Sequence, residues 1–207
     1  MASPTPTPRA GDRRPGGRSA RIRTAVLAAA TEVLSDTGYE GLSVEAVADR
    51  AGVHKTTVYR RWPTKADLAF EAIRERSQQR VPVPDTGSFG GDLKALARAV
   101  VANIASPTGS NVTRTLVAAA STSPDVSAGT AAFWSERLAL TAAIVDRAVE
   151  RGELAVGSDP LLIIETLIGP FYVRLLLTGE PIDVAFADGV AALVAAGATR
   201  GSPGRRL

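Results

Sequence analysis

Apolar positions recur along this chain at helical spacing, and no stretch alternates convincingly as a strand. Ile22, Ala25, Val26, Ala29, Ala30, Val33 and Leu34 fall at i, i+3, i+4, i+7, i+8, i+11 and i+12, one face of a helix. Gly38 stands where a left-handed residue would end it. Ser43 is an N-cap for a second, short helix with Val44, Val47, Ala48 and Ala51 inward, and Gly52 breaks it. A third segment runs from Lys55 to Trp62 and stops at Pro63. Thr64 caps a fourth, with Asp67 three residues on as a short capping box and Leu68, Ala69, Ala72 and Ile73 facing inward.

The pattern then pauses. Val81 to Pro84 and Gly87 to Gly91 read as a linker or hinge. Helical spacing returns with Leu93, Leu96, Ala97, Val100 and Ile104, and Pro107 and Gly109 interrupt it. Asn111 to Ser121 reads as the next helix, and Ser123-Pro124 interrupts again. A long helix runs from Asp125 or Ala128 to Arg151. Asp159-Pro160 is a cap followed by proline at the first helical position, opening a helix to Leu177. The last helix runs from Asp183 to Ala196, before Gly197. The expectation is an all-α fold of nine helices, four short ones followed by five. Residues 1–18 hold four prolines and nothing that packs, so they are expected to be a disordered basic tail. Units follow at 19–80, a linker at 81–91, and 92–200.

Composition agrees with helices: 36 of the 207 residues are Ala, the best helix former. There is no Cys and one His, which leaves no thiolate or His-rich metal site and no Cys nucleophile. The absence of Cys and of a leader-like start fits a cytoplasmic protein. Leu161 to Leu177 is apolar but contains Glu165, Pro170 and Arg174, and at 17 residues it falls short of the roughly 20 that cross a bilayer, so no membrane partner is expected. Charge is unevenly placed. Residues 1–80 hold 14 Lys/Arg against 9 Asp/Glu, and residues 81–207 hold 10 against 12. The basic front either meets a polyanion or is a solvated surface.

The segment from Ser43 to Trp62 points to the polyanion. Two short helices meet at Ala51-Gly52-Val53, with Ala48 small where they cross, as a helix-turn-helix requires. The second presents Lys55, Thr56, Thr57, Tyr59, Arg60 and Arg61, donors and hydroxyls suited to phosphates and base edges. Ile22 to Gly38, Leu42-Ser43-Val44, Val47-Ala48, Ala51-Gly52-Val53, Thr57-Val58-Tyr59 and Trp62-Pro63-Thr64-Lys65-Ala66-Asp67-Leu68 follow one another as in the tetracycline-repressor-like (TetR) regulators. The chain resembles that family over residues 20–80. The likeness extends weakly to Ala148 to Leu154 and Gly169 to Arg174 in the rear half. Where many members have a small hydroxyl residue, this chain has His54, which either caps the recognition helix or contacts DNA itself.

The resemblance implies a homodimeric transcription regulator, most often a repressor. Two heads hold a pseudo-palindromic operator on double-stranded DNA, and an unidentified small molecule in the rear domain lowers the affinity. Tyr59 and Lys65 become phosphate contacts, Ser43 has the same option at its helix start, and His54, Lys55, Thr56, Thr57 and Arg60 reach toward the major groove. Trp62, four residues after Val58, belongs to the core. In the rear, Phe133, Trp134, Phe171 and Tyr172 either fill the core or line a pocket. Arg137 and Arg174 are expected beside a ligand, Arg174 alternatively pairing with another helix or reaching solvent. Leu161 to Leu177, apolar nearly all round, and the Ala-rich last helix are expected to form the dimer interface, with Leu176 on it. A tightly filled rear core would instead favour a DNA-binding protein without an effector. An enzyme lacks support: there is no Cys, a single His, no Gly-rich phosphate loop and no paired-carboxylate signature, and no cofactor is expected.

Overall fold

A computed structural model describes residues 16–200, and every regular element among them is helical. The α-helices are α1 Gly16–Gly41, α2 Val44–Ala51, α3 Lys55–Tyr59, α4 Lys65–Arg80, α5 Phe89–Ile104, α6 Pro107–Ala120, α7 Pro124–Glu150, α8 Pro160–Val173 and α9 Val184–Thr199. A π turn, Arg174–Thr178, extends α8. The count and class agree with the sequence pattern.

Several boundaries move for identifiable reasons. Most of the tail expected at 1–18 lies outside the described residues, and Gly16 to Arg18 form the first turn of α1. Helical geometry in α1 breaks at Gly38, whose φ of 73° only glycine adopts freely. Pro107 and Pro124 start helices instead of interrupting them. Ser106 and Ser123 are the N-caps, and each proline sits where no backbone donor is needed. The linker expected at 81–91 is shorter, because Ser88 caps α5 and Phe89 begins it. The last helix passes Gly197 to bury Ala198, one turn beyond Val194. The third helix is shorter than the sequence suggested. After Tyr59 the chain continues as a turn whose amides bond back to Thr56 and Val58 before Pro63.

Two apolar cores result. The first joins Val26, Leu34, Val47, Val58, Trp62, Leu68 and Phe70 of the front helices with Val112, Leu116 and Ala119 of α6 and Val126 of α7. The second is built by α5, α7, α8 and α9 around Leu93, Ile144, Leu167, Phe171 and Ala187. Asp188 holds α9 to α5. Arg98 grips it with two bonds of 2.7 Å and Lys94 stands 3.1 Å away, which pulls its carboxyl down to about 2.

The segment between α4 and α5 is tied down by a fully buried carboxylate. Asp92 accepts the Thr86 amide at 2.6 Å and the Thr86 hydroxyl at 2.8 Å. Its other oxygen faces Arg147 at 3.6 Å and Arg151 at 3.7 Å. Arg147 also donates to the Pro84 carbonyl. Removing one member of a buried charged group leaves the rest uncompensated. Asp92→Ala should therefore cost about 2–4 kcal/mol in urea unfolding, whereas Asp85→Ala at the exposed rim of the same cluster should cost under about 1 kcal/mol. Equal effects would show that the clasp carries no special stability.

Candidate nucleic-acid interface and internal cavity

The front helices build a helix-turn-helix from local rules. Ser43 Oγ accepts the Ala46 amide at 3.1 Å and starts α2. Gly52, left-handed at φ 66°, ends it and turns the chain toward α3. Val58 and Trp62 then anchor the recognition helix from below, both buried. His54, Lys55, Thr56, Tyr59, Arg60 and Arg61 are exposed on the outer face, with Thr57 half-buried among them. His54 occupies the N-cap position, but its side chain makes no capping bond. Its imidazole is therefore exposed and uncommitted at the front of α3, and the capping alternative loses its hydrogen bond.

Lys65 follows the turn at the start of α4. Its ammonium lies 4.4 Å over the Tyr39 ring and donates to the Glu40 carbonyl at 3.3 Å. Thr64 and Asp67 form the capping box, with Thr64 Oγ1 accepting the Asp67 amide at 3.0 Å and the Thr64 amide donating to the Asp67 carboxylate at 3.1 Å. Tyr59 extends from α3 on the same surface, its hydroxyl 3.5 Å from Glu45. Arg18, Arg60 and Arg61 meet along a cleft between the start of α1 and the end of α3, adding positive charge to that face.

A network absent from the sequence reading holds the head rigid. Trp62 Nε1 donates to Glu71 at 2.6 Å. Arg23 on α1 bonds Glu71 at 2.8 Å and Glu75 at 2.7 Å. The hydrogen bond from Arg23 holds the Glu75 carboxyl below its ordinary value of 4.5. The four residues are spread over 53 positions, and no local spacing signals their meeting.

Behind the head lies a cavity of about 490 Å³. Phe70, Ile73 and Arg76 of α4 form one wall. Leu96, Val100 and Asn103 of α5 and Val112, Thr113 and Leu116 of α6 form others. Thr130, Phe133, Trp134 and Arg137 of α7 and Ile164, Ile168 and Tyr172 of α8 close it. Phe133 packs edge-on to Trp134, and Trp134 edge-on to Tyr172, each with centroids 5.4 Å apart. Burial pushes the Tyr172 phenol upward, with Arg137 opposing, and burial lowers both Arg76 and Arg137.

Four of the six residues expected at a ligand therefore do line the cavity: Phe133, Trp134, Arg137 and Tyr172. Two do not. Phe171 is fully buried in the second core against Phe186, with ring centroids 5.7 Å apart, because one helical step of 100° separates it from Tyr172. Arg174 lies in the π turn, its guanidinium 3.3 Å from the Phe186 centroid, and donates to the Pro181 carbonyl at the surface. Leu176 also differs from expectation, since it lines the cavity, while Leu177 is 80% exposed. The cavity residues of α4, α5 and α6 were missed. The periodicity marked Ile73, Leu96 and Val100 as inward, but inward-facing apolar residues look alike whether they pack or line a void.

The segment Pro160–Thr178 spans 19 residues with mean hydropathy 1.7, enough by length and composition to cross a membrane, so length does not exclude a span as the sequence reading held. One face of it is seated in the second core through Ile163, Ile164, Leu167, Phe171 and Leu175.

Comparison with known proteins matches this architecture at both ends. Residues 26–72 fit the model of bacterial regulatory proteins of the tetR family, and residues 83–194 fit the tetracyclin repressor-like C-terminal domain. The regulator AqdR of Rhodococcus erythropolis is 32% identical over 87% of this chain and 86% of its own length. The DNA-binding transcriptional repressor TetR of Mycobacteroides abscessus is 33% identical over 78% of this chain and 85% of its own. The crystal structure of the TetR-family regulator SCO0332 superposes with a TM-score of 0.72 at 32% identity, covering 86% of this chain and 98% of that one. The chain belongs to the TetR family of helix-turn-helix transcription regulators.

The Arg23 network makes a pH prediction. A carboxyl lowered in the folded state contributes stability above its unfolded value, lost as pH falls through the folded one. Thermal stability should drop between about pH 5 and about pH 3, and Arg23→Met should flatten the part of that slope due to Glu75. A slope unchanged by Arg23→Met would assign the acid sensitivity elsewhere.

Proposed function

We propose that this regulator represses transcription as a homodimer on a pseudo-palindromic operator and is released by a small molecule bound in the cavity. One observation carries the reading. The cavity is walled by α4, the helix that also closes the head, so a molecule placed there packs directly against the element that positions α3. Such a molecule shifts the head only if it binds one arrangement better than the other. The open volume favours this over a DNA-binding protein without an effector, for which the rear core would be filled.

In this reading the chain divides into the basic tail, the head over 19–80, the linker and the rear domain over 92–200. His54, Lys55, Thr56, Thr57 and Arg60 approach base edges, while Ser43, Tyr59 and Lys65 hold phosphates. The N-terminus of α4 adds to Lys65, since exposed helix N–H groups favour an anion. A regulator of this kind acts in the cytoplasm, where its operator is. The partner surface is the outer face of α8 and α9. Leu161, Leu162, Val173 and Leu177 are exposed there, and on α9 Leu193 is exposed beside Ala185, Gly189, Ala192 and Ala196. Two such faces bury each other as a four-helix bundle, with small residues permitting close approach.

Tyr59→Ala and Lys65→Ala should each weaken binding to the operator upstream of the gene by about 1–3 kcal/mol, and to random DNA similarly, as lost bonds to charged phosphates do. Full affinity in both variants in a gel-shift titration would refute the phosphate assignment. In sedimentation the parent should run as a dimer and Leu193→Asp as a monomer, because a charge buried in an apolar interface costs several kcal/mol or more. A monomeric parent would remove the two-headed model.

A further inference from the structure

The cavity carries two positive charges that nothing among the described residues neutralises. Arg76 and Arg137 both face it. Arg76 gives one N–H to Ser106 Oγ at 3.1 Å, and its buried Nε has no partner. Arg137 gives one N–H to the Val81 carbonyl at 2.8 Å. Among the described residues neither forms an ion pair. Glu136, next to Arg137 in the chain, is engaged by Arg74 at 2.8 Å. Burial disfavours both cations, and Arg80 on the same helix adds repulsion at Arg76. Thr130 Oγ1 and Asn103 Oδ1, also on the walls, are buried without hydrogen-bond partners. The Asn103 amide can present its NH2 in place of its oxygen by rotating about its last torsion.

Unmatched polar atoms in an apolar enclosure are the imprint of a missing complement. Neutral apolar molecules leave the guanidiniums uncompensated, and cations are repelled. Glu165 also lines the cavity, but it is exposed and pairs with neither arginine among the described residues, so an anion completes the balance. Apart from Ser77, Thr113 and Thr141 the remaining lining is apolar, with the Phe133, Trp134 and Tyr172 rings forming a continuous edge-to-face row.

We propose that the cavity takes an apolar organic acid as its anion, with the anionic group bonded to Arg76 and drawn by Arg137, and the apolar body lying along Phe133, Trp134 and Tyr172. Thr130 and Asn103 supply further polar contacts. The proposal rests on the reading of this cavity as the effector site and adds the chemistry it selects. Because Arg76 belongs to α4, the ligand's charge acts on the helix that closes the head.

The test uses the purified full-length protein and two matched pairs of probes, naphthoate with naphthylmethanol and decanoate with decanol, in equilibrium dialysis. At least one acid should bind the parent roughly tenfold or more tighter than its alcohol, and Arg76→Gln should weaken that acid roughly ten- to a hundredfold while leaving its alcohol unchanged. Arg76→Lys should restore part of the preference, since it returns the charge without the planar fork. If Arg76→Gln does not melt cooperatively, Arg137→Gln is read in its place, with the same selective loss expected. Alcohols binding as tightly as acids, neither acid binding the parent, or an acid preference that survives in the variant read would overturn the proposal. Operator affinity is measured separately. Acid binding that depends on Arg76 but leaves DNA affinity unchanged upholds the charge assignment and removes release from the operator.

Discussion

The seat of the Phe70 ring against Gly129 ties the two halves of this molecule together. A methyl group at position 129 would lie 2.1 Å from a ring carbon of Phe70, so only a hydrogen leaves room for the ring. Phe70 belongs to the core of the head, yet it also forms part of the cavity wall. The contact therefore places α4 against α7 at one point shared by the DNA-reading unit and the rear domain. Arg74 on Glu136 and Arg137 on the Val81 carbonyl extend the same junction along the helix. Interiors packed to this density do not deform smoothly, so a change at the junction displaces helices and not single side chains.

A second constraint explains why the junction can respond. Side chains lining a void lose their dispersion partners on that side, and buried polar atoms without partners lose hydration as well. Arg76, Asn103 and Thr130 all accept that cost on the cavity wall. The structure is thus least satisfied where α4 meets α5, α6 and α7, and anything that fills the space stabilises the arrangement it fits by mass action. The clasp at Asp92 lies at the N-terminal end of α5, where Thr86, Arg147 and Arg151 surround the carboxylate, and it ties down the segment from Val81 to Ser88.

The head was legible in the sequence because its signals are short-range. Ser43, Gly52, Pro63 and Thr64 each act within four residues, and the spacing of Val44, Val47, Val58 and Trp62 fixes which side is buried. The cavity was legible only in part. Aromatic residues and arginines in an apolar rear domain singled out Phe133, Trp134, Arg137 and Tyr172, which line the cavity. Phe171 and Arg174 point elsewhere because sequence proximity is not facial proximity on a helix: they stand one and two steps of 100° from Tyr172. Leu176 reaches the cavity because it continues the four-residue spacing of Ile164, Ile168 and Tyr172, while Leu177 is exposed. Arg76, Asn103 and Thr130 come from three separate helices, and their common feature is an unmet hydrogen bond, which exists only once the helices are assembled. Serine–proline pairs misled in the other direction: Ser106-Pro107 and Ser123-Pro124 read as breaks, while the same chemistry at Asp159-Pro160 read as a start.

How a signal would travel follows from which helices belong to both cores. Within the head, Arg23 bonded to Glu71 and Glu75 locks α1 to α4, and Glu71 locks the Trp62 indole beneath the recognition helix. Helix α6 is bound to α1 as well: Asn111 donates to the Ser35 carbonyl at 3.3 Å, and Val112 and Leu116 complete the head's core. Val112 and Leu116 also line the cavity. A ligand there would therefore touch α4 and α6, two helices already bonded to α1, with Glu71 of α4 also holding the Trp62 indole that follows α3. Local melting of the recognition helix is not needed for an effect on DNA. In a dimer whose heads must reach successive faces of the operator, a small rotation of each head as a unit changes the distance between the two recognition helices, and half-site spacing is a geometric requirement of binding. In the proposed mechanism, the stiffness of the head would convert a displacement at the cavity into a loss of register on the DNA.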